Sequence, residues 1–383
     1  MGSEAPALEL PEFKGRPGWE FTDISGLDLA AYEPVTSAED GRPSETLFEA
    51  TTPTALPDGV IVSSIAEAAR EHQALLRRVV TADDVFTLLN DSAEYRAGSF
   101  VYVPRGVVLE EPIALTAVQP RTGSLLHERT LIVLEEGAQA EVWEQYLSGA
   151  PDLDAVFNVV TELSVGDAAR LRYVCGQALA EKTWMFGAQR AEVGRDASLD
   201  WVALGFGSAN GRVRMETKLA GPGAEARVTG AYASHGRQHI DFDTTQEHAA
   251  PNTTSDLAFR GVLQGRSTAV WKGNIIVDPG AQKTDAFQES RNLLISKRAH
   301  ADAIPGLEIQ ANDVRCTHAA AVAQVDPEQL FYLRSHGLDQ DVAKRLVIEG
   351  FLAALVERFE EGPVRDVLTE TLDRRLALVL GGG

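Results

Sequence analysis

The chain has 383 residues, enough for one large domain or two to three smaller ones, and 44% of them are hydrophobic, enough for a full core. A formal net charge of −21 repels phosphate backbones and argues against a nucleic-acid partner. No apolar run approaches the roughly 20 residues of a membrane span, and the acidic stretch Met1 to Pro11 does not read as a secretory signal, so no membrane association and a soluble cytoplasmic protein are expected.

Residues 1–60 are rich in Pro, Glu, Gly and Thr without a sustained period, which predicts loop. Within them the aromatics of Gly18-Trp19-Glu20-Phe21 are expected to pin the segment onto a neighbour. Two short helices should follow, Ile65 to Leu76 after Ser63-Ser64, and Asp83 to Asn90 after Thr81. Residues 1–98 thus read as an N-terminal α-rich region.

From Ser99 the texture becomes strand-like, as in Phe100-Val101-Tyr102-Val103 and Thr130-Leu131-Ile132-Val133-Leu134. Turn-like markers then recur every 28 or 29 residues, at Gly137, Gly166, Gly194, Gly223, Asn252 and Gly280. A second series runs Gly207, Gly236, Gly265. A fixed period of this size signals stacked repeats, and each unit has room for several short strands and turns. That predicts a mainly β fold, a parallel β-helix over residues 99–325, in which each rung covers the one before.

Residues 326–383 read as a helical domain. Asp326 is a candidate N-cap, Pro327 suits the first helical position, and Gln329 gives capping-box spacing. A second helix after Asp339 carries Val342, Leu346, Val347, Phe351, Ala354 and Leu355 as one apolar stripe. A third, Val364 to Leu380, repeats the stripe with Val367, Leu368, Leu372, Leu376 and Leu380. These stripes serve equally to pack the helices on each other or to dock a partner, and the tail is expected to cap the end of the stack.

Two cysteines, Cys175 and Cys316, make neither a disulfide framework nor a four-cysteine cluster site within one chain. There is no phosphate-binding loop, no Gly-x-Ser-x-Gly, no His-Glu-x-x-His and no Cys-x-x-Cys. Cys316 and His318, two apart on a predicted strand, share a face and suit iron or zinc ligation if another chain completes the set. The alternative is a buried thiol beside a hydrogen-bonded histidine. His235, His239 and His248 form a looser group around Asp241 and Asp243, a metal site or the solvated outside of a rung. His300 reads as a surface residue.

Several words in order carry a resemblance to a known family. They are His248-Ala249-Ala250-Pro251-Asn252-Thr253-Thr254-Ser255, Gly261-Val262-Leu263, Ala281-Gln282-Lys283-Thr284-Asp285-Ala286, Asn292-Leu293-Leu294-Ile295-Ser296, Leu307-Glu308-Ile309, Asn312 to Val322 and Asp326 to Leu338. The chain resembles the SufB/SufD family of iron–sulfur cluster assembly proteins, on its SufD branch, strongly from Tyr232 to Phe359 and more weakly back to Trp19. It departs at Ala269-Val270-Trp271-Lys272-Gly273 and at Ala319, where that family more often has Gly-Val-Phe-Asn-Gly and Gly.

The resemblance implies a right-handed parallel β-helix between helical regions and a non-catalytic scaffold. It implies pairing with SufB through the β-helices, with a homodimer when alone, and a SufC ATPase docked on the C-terminal helices. By the same carry-over His318 and Cys316 face iron or a nascent cluster at the SufB–SufD interface, with no stably bound cofactor. Phe331, Tyr332 and Arg334 fall in the SufC-docking segment, and His300 falls opposite the cysteine used by SufB. The rival expectations are a β-helix enzyme acting on acidic polysaccharide, with Asp241 and Asp243 as acids, and a homodimeric structural β-helix.

Overall fold

The structure, a computed structural model, describes residues 10, 18–35, 42–49, 51–76, 79–93 and 97–381. Of the acidic stretch Met1 to Pro11, only Leu10 lies within them. In chain order the strands are β1 (Glu33–Pro34), β2 (Ile61–Ser64), β3 (Ser99–Val103), β4 (Ile113–Gln119), β5 (Ser124–Leu134), β6 (Gln139–Ser148), β7 (Val156–Val165), β8 (Arg170–Ala178), β9 (Trp184–Val193), β10 (Ser198–Gly205), β11 (Asn210–Leu219), β12 (Glu225–Ser234), β13 (His239–His248), β14 (Thr254–Leu263), β15 (Thr268–Val277), β16 (Asp285–Leu294), β17 (His300–Ile309) and β18 (Arg315–Gln324). Helices α1 (Ile65–Glu71) and α2 (Val85–Ser92) precede β3, and α3 (Pro327–Ser335), α4 (Gln340–Val356) and α5 (Pro363–Gly381) follow β18.

From β3 onward, odd-numbered strands stack in parallel into one sheet and even-numbered strands into a second. The fold is a mainly β, parallel β-solenoid with helical regions at both ends of the chain. Each coil holds two strands of up to eleven residues, rather than several short ones. Two long strands suffice because the coil turns only at two tight corners.

The corners explain the sequence period. Left-handed backbone recurs at Gly137 (φ 70°), Ala168 (56°), Asp196 (52°), Gly223 (75°), Asn252 (57°) and Lys283 (60°). These residues form a ladder of turn-to-turn bonds. Gly137 N donates to Asp167 O (2.8 Å), Ala168 N to Arg195 O (2.7 Å), Asp196 N to Pro222 O (3.0 Å), Gly223 N to Pro251 O (3.3 Å), Asn252 N to Gln282 O (2.8 Å) and Lys283 N to Asp313 O (2.6 Å). The residue in the ladder is not always the glycine that marked the period: at three coils it is Ala168, Asp196 and Lys283, not Gly166, Gly194 or Gly280. Asp and Asn tolerate this region better than most residues, whereas Ala and Lys do so at a cost of about 1–2 kcal/mol.

The core is the space between the sheets. Trp201, Trp271, Tyr146, Tyr173, Tyr232, Phe157 and Phe259 are all below 2% exposed and fill it in stacked columns. Gly230 makes room for one of them, since a Cβ there would lie 2.2 Å from the Phe259 ring.

Both outer faces are also covered. On the odd-numbered sheet, Trp19 packs on Phe86 of α2 and Phe186 of β9, with ring centroids 5.5 and 5.9 Å away, and Arg212 stands over its face. Trp19 alone is the pin, because Phe21 is left exposed. The cap of α2 is Asp84 rather than Thr81: its carboxylate accepts from Phe86 N and Thr87 N, both 2.9 Å. Helix α1 is capped by Ser64 as expected but stops at Glu71, continuing as a single 3-10 turn over Gln73–Leu75.

On the even-numbered sheet, α4 and α5 bury Ile348, Leu352, Leu355, Leu368, Leu372 and Leu376 against Trp143, Val174, Val202, Ala258 and Val262. At about 1.5–3 kcal/mol per buried aliphatic side chain, this face holds the hairpin firmly. The expected terminal cap is therefore not formed: the helices lie along the flank of the stack. The buried stripe of α4 is also rotated from expectation, leaving Val342 and Leu346 in solvent.

Ala168 is exposed, so its methyl contributes no burial while its backbone is strained. Ala168→Gly is expected to raise stability by about 0.5–1 kcal/mol in denaturant melts, after the added chain entropy of glycine is deducted.

Candidate functional site at the open end of the solenoid

The inner columns of side chains run up the stack in register. Ile275 aligns with Leu307, Val277 with Ile309, Ala286 with Cys316, Gln288 with His318 and Asn292 with Val322. One coil down these positions are sealed, with Ile275, Val277 and Gln288 at 0% exposure and Asn292 at 2%. On the last coil the same columns are open, with Leu307 36%, Ile309 43% and Val322 42% exposed. Strands β17 and β18 each keep one edge unpaired among the described strands. The end of the molecule is thus the cross-section of its own core.

Cys316 and His318 sit on that cross-section. Their shared face is the inward one, as alternation predicts. Cys316 packs, like Ala311 and Val314, against the buried cluster of Ile275, Val277, Ala281 and Ala286, and burial, followed by the Asp285 charge, pushes its thiol pKa upward. His318 is exposed. It lies above Gln288, whose Nε2 donates to Gly273 O (3.2 Å) and Gly306 O (3.1 Å). His300 starts β17 on the opposite, outward parity, 3.3 Å from Asp302, and is not brought to the pair. No group of three or more His, Cys, Asp or Glu side chains placed to hold a metal ion is found among the described residues, so the cysteine and histidine belong to none.

Helix α3 follows β18 after Val325 and Asp326. Asp326 caps it by accepting from Glu328 N (2.9 Å). None of its residues is buried; Phe331 is 74% and Tyr332 63% exposed, and Arg334 is exposed as well. Tyr332 is steadied by His336, whose ring lies 4.4 Å away.

The looser histidine group is dispersed. His239 and His248 begin and end one strand on opposite parities, about 30 Å apart at the rise of an extended chain. His239 lies against Thr268 (2.7 Å), and His235 pairs with Glu181 (3.2 Å). Asp241 is not solvated: it is 4% exposed and accepts from Thr22 Oγ1 at 2.5 Å. Asp241 thus ties down the N-terminal strap that carries Trp19 and Thr22, while Asp243 pairs with Arg212 of the neighbouring strand (3.0 Å), the cation that stands over Trp19.

Sequence reasoning missed an inner polar cluster. Glu144 points into the core and accepts from Thr130 Oγ1 (2.5 Å), Tyr146 Oη (3.1 Å) and Tyr173 Oη. Burial, with Glu144 nearby, raises Glu128 to about 8, and burial raises Cys175 to about 12, so both are protonated at neutral pH. The signal was available: alternation along β6 puts Glu144 on the parity of Val142 and Tyr146.

A model of the family described as "SUF system FeS cluster assembly, SufBD core domain" matches residues 117–351, and one for the SufBD N-terminal region matches residues 44–115. The chain belongs to the SufB/SufD family. It is 33% identical over 326 residues to the iron–sulfur cluster assembly protein SufD of Bacillus subtilis, covering 83% of this chain and 74% of that one. It is 31% identical to an iron–sulfur cluster assembly SufBD family protein of Mycobacterium tuberculosis, over 75% and 73% of the two chains. It is 27% identical to the chloroplastic protein ABCI7 of Arabidopsis thaliana, over 93% and 80%. No helix among the described residues is long and apolar enough to cross a membrane.

His248 lies among the family words and supplies a pH dependence. It is fully buried, with its two ring nitrogens 2.8 Å from Thr253 Oγ1 and 2.9 Å from Ser255 Oγ, and burial lowers its pKa from 6.5 to about 4. Between those values the unfolded chain binds the proton and the folded one does not, so stability present above pH 6.5 is lost as pH falls toward 4, by up to about 3 kcal/mol. His248→Gln is expected to flatten the pH dependence of urea melts across this window by up to one proton.

Proposed function

We propose that this SufB/SufD family protein is a SufD-type scaffold subunit, without catalysis of its own, on which a nascent iron–sulfur cluster is assembled with partners. The observation that carries this reading is the uncovered last coil. Its apolar columns and two unpaired strand edges need a cover of matching shape, and a second β-solenoid of the same family offers one. Cys316 and His318 lie on the surface that such pairing buries. They supply a thiolate and an imidazole, and the SufB-type partner supplies the remaining donors for iron or the forming cluster. The thiol's raised pKa means that it binds as the thiolate only when a cation displaces its proton. The cluster is cargo on this surface, not a resident cofactor, and the setting is the cytoplasm.

The same reading assigns α3 and the solvent side of α4 to a SufC-type ATPase. Phe331, Tyr332, Val342 and Leu346 are large apolar side chains held in solvent on two helices that pack on each other. Arg334 adds a charge at the edge. Exposed aromatic anchors of this kind are enriched at interfaces. A polysaccharide-active enzyme is disfavoured by Asp241 and Asp243, which are engaged by Thr22 and Arg212.

Val322→Glu is expected to abolish co-purification with the SufB-type paralogue while shifting the melting of the isolated chain by no more than about 0.5 kcal/mol, since Val322 contributes little burial there. Unchanged pairing would remove the open end from the interface. His318→Ala, alone and with Cys316→Ser, should leave the complex assembled and lower the cluster it reconstitutes under anaerobic conditions. Cluster yield equal to the parent complex would reject the ligand assignment.

A further inference from the structure

A groove of about 950 Å³ runs along the flank of the even-numbered sheet, floored by the first residues of β6, β8, β10, β12 and β14. One wall is formed by Val108 to Pro112, the other by Phe48 and Glu49 with the first turns of α5 at Val364 and Val367. The floor crosses five coils in four steps of about 4.8 Å, so it is about 19 Å long, the reach of about six residues of extended chain. Val108 is 51% exposed there, without a side chain to cover it.

The floor is neutral. Glu141, Arg172, Asp200, Arg227 and Asp256 stand in register on successive coils and alternate in sign. Arg172 donates to Glu141 (3.2 Å) and Asp200 (2.9 Å), Arg227 donates to Asp200 (2.6 Å), and Asp256 pairs with Arg358 at 3.1 Å. This ladder is satisfied within itself, which fixes the floor. The Arg172 side chain is 38% exposed, and its Nη2 makes no hydrogen bond among the described residues. It is a donor for a peptide carbonyl.

The rim is acidic. Glu110 and Glu111 on one wall, Glu49 on the other and Glu225 at the edge of the floor are all exposed. Their carboxylates make no hydrogen bond or ion pair among the described residues. Across the whole lining, seven carboxylates face three guanidiniums. Apolar walls call for aliphatic bulk, the unpaired rim calls for positive charge, and the length calls for a chain.

We infer that this groove binds an extended basic segment of a partner protein, with its lysine or arginine side chains on Glu49, Glu110, Glu111 and Glu225 and its aliphatic ones against Val108 and Val367. The groove spans β6 to β14 and stops short of β16 and β18. It therefore does not depend on the role proposed for Cys316 and His318.

Calorimetric titration of the full chain with the end-blocked hexapeptide Lys-Leu-Lys-Leu-Lys-Leu tests this, against its Glu-Leu counterpart and spermidine at matched ionic strength. The lysine peptide should bind saturably at one site and the glutamate peptide not at all. Spermidine, which has the charge without the aliphatic side chains, should bind at least about tenfold more weakly. Glu110→Lys with Glu111→Lys should weaken the lysine peptide by about tenfold or more, and both positions are exposed, so the fold is kept. Glu71→Lys with Glu192→Lys makes the same charge change on exposed residues of the odd-numbered side and should leave the affinity within about twofold. Absence of saturable binding, spermidine as tight as the peptide, or equal weakening by the two double variants, which would mean attraction to the overall acidity alone, would each overturn the inference.

Discussion

Everything in this molecule depends on parallel stacking in register. Each coil satisfies its backbone only through the coil before and after it, so the structure has two ends by necessity and no way to close on itself. The corner ladder from Gly137 to Lys283 keeps the coils in phase, and the inner columns of aromatic and aliphatic side chains follow from that phase. A stack that stops without a cap must present its core. Leu307, Ile309 and Val322 are ordinary inner-column residues whose only unusual property is that no coil follows them.

The chain spends its helices on the outer faces instead. The N-terminal strap and α2 cover the odd-numbered sheet, and α4 with α5 covers the even-numbered one. The consequence is a division of labour from β17 onward. Strands β17 and β18 form the open end, α3 follows β18 after two residues, and α3 and α4 carry the exposed aromatic and aliphatic groups. A pull on α3 is therefore delivered almost directly to the strand that carries Cys316 and His318.

The parts legible in the sequence were those with a local cause. The period could be read because left-handed corners favour Gly, Asn and Asp, although Ala168 and Lys283 show that the corner itself, not the glycine, is what repeats. The shared face of Cys316 and His318 followed from strand alternation. The caps at Ser64 and Asp326 followed from short-range hydrogen bonding. What could not be read was which surface an apolar stripe meets. Periodicity gave α4 and α5 apolar faces but not the flank they cover, so a terminal cap was expected where the stack is open. The acids Asp241 and Asp243 were misjudged because Thr22 lies 219 residues away in the chain, and because Arg212, one coil earlier, becomes a partner only once the coil register is known. The inner cluster around Glu144 was missed because a buried carboxylate reads as a surface residue until the coil register is known.

The central claim is that the last coil is a half-site completed by a family partner. Hydrogen exchange of the backbone amides of β18, measured with and without the SufB-type paralogue, tests it most directly. The account predicts fast exchange in the isolated chain at those amides of Arg315–Gln324 that face the unpaired edge and strong protection of the same amides, with the α5 amides unchanged, once the paralogue is bound. Complex formation that leaves the β18 amides as exposed as before would contradict it, and would place the partner on another surface.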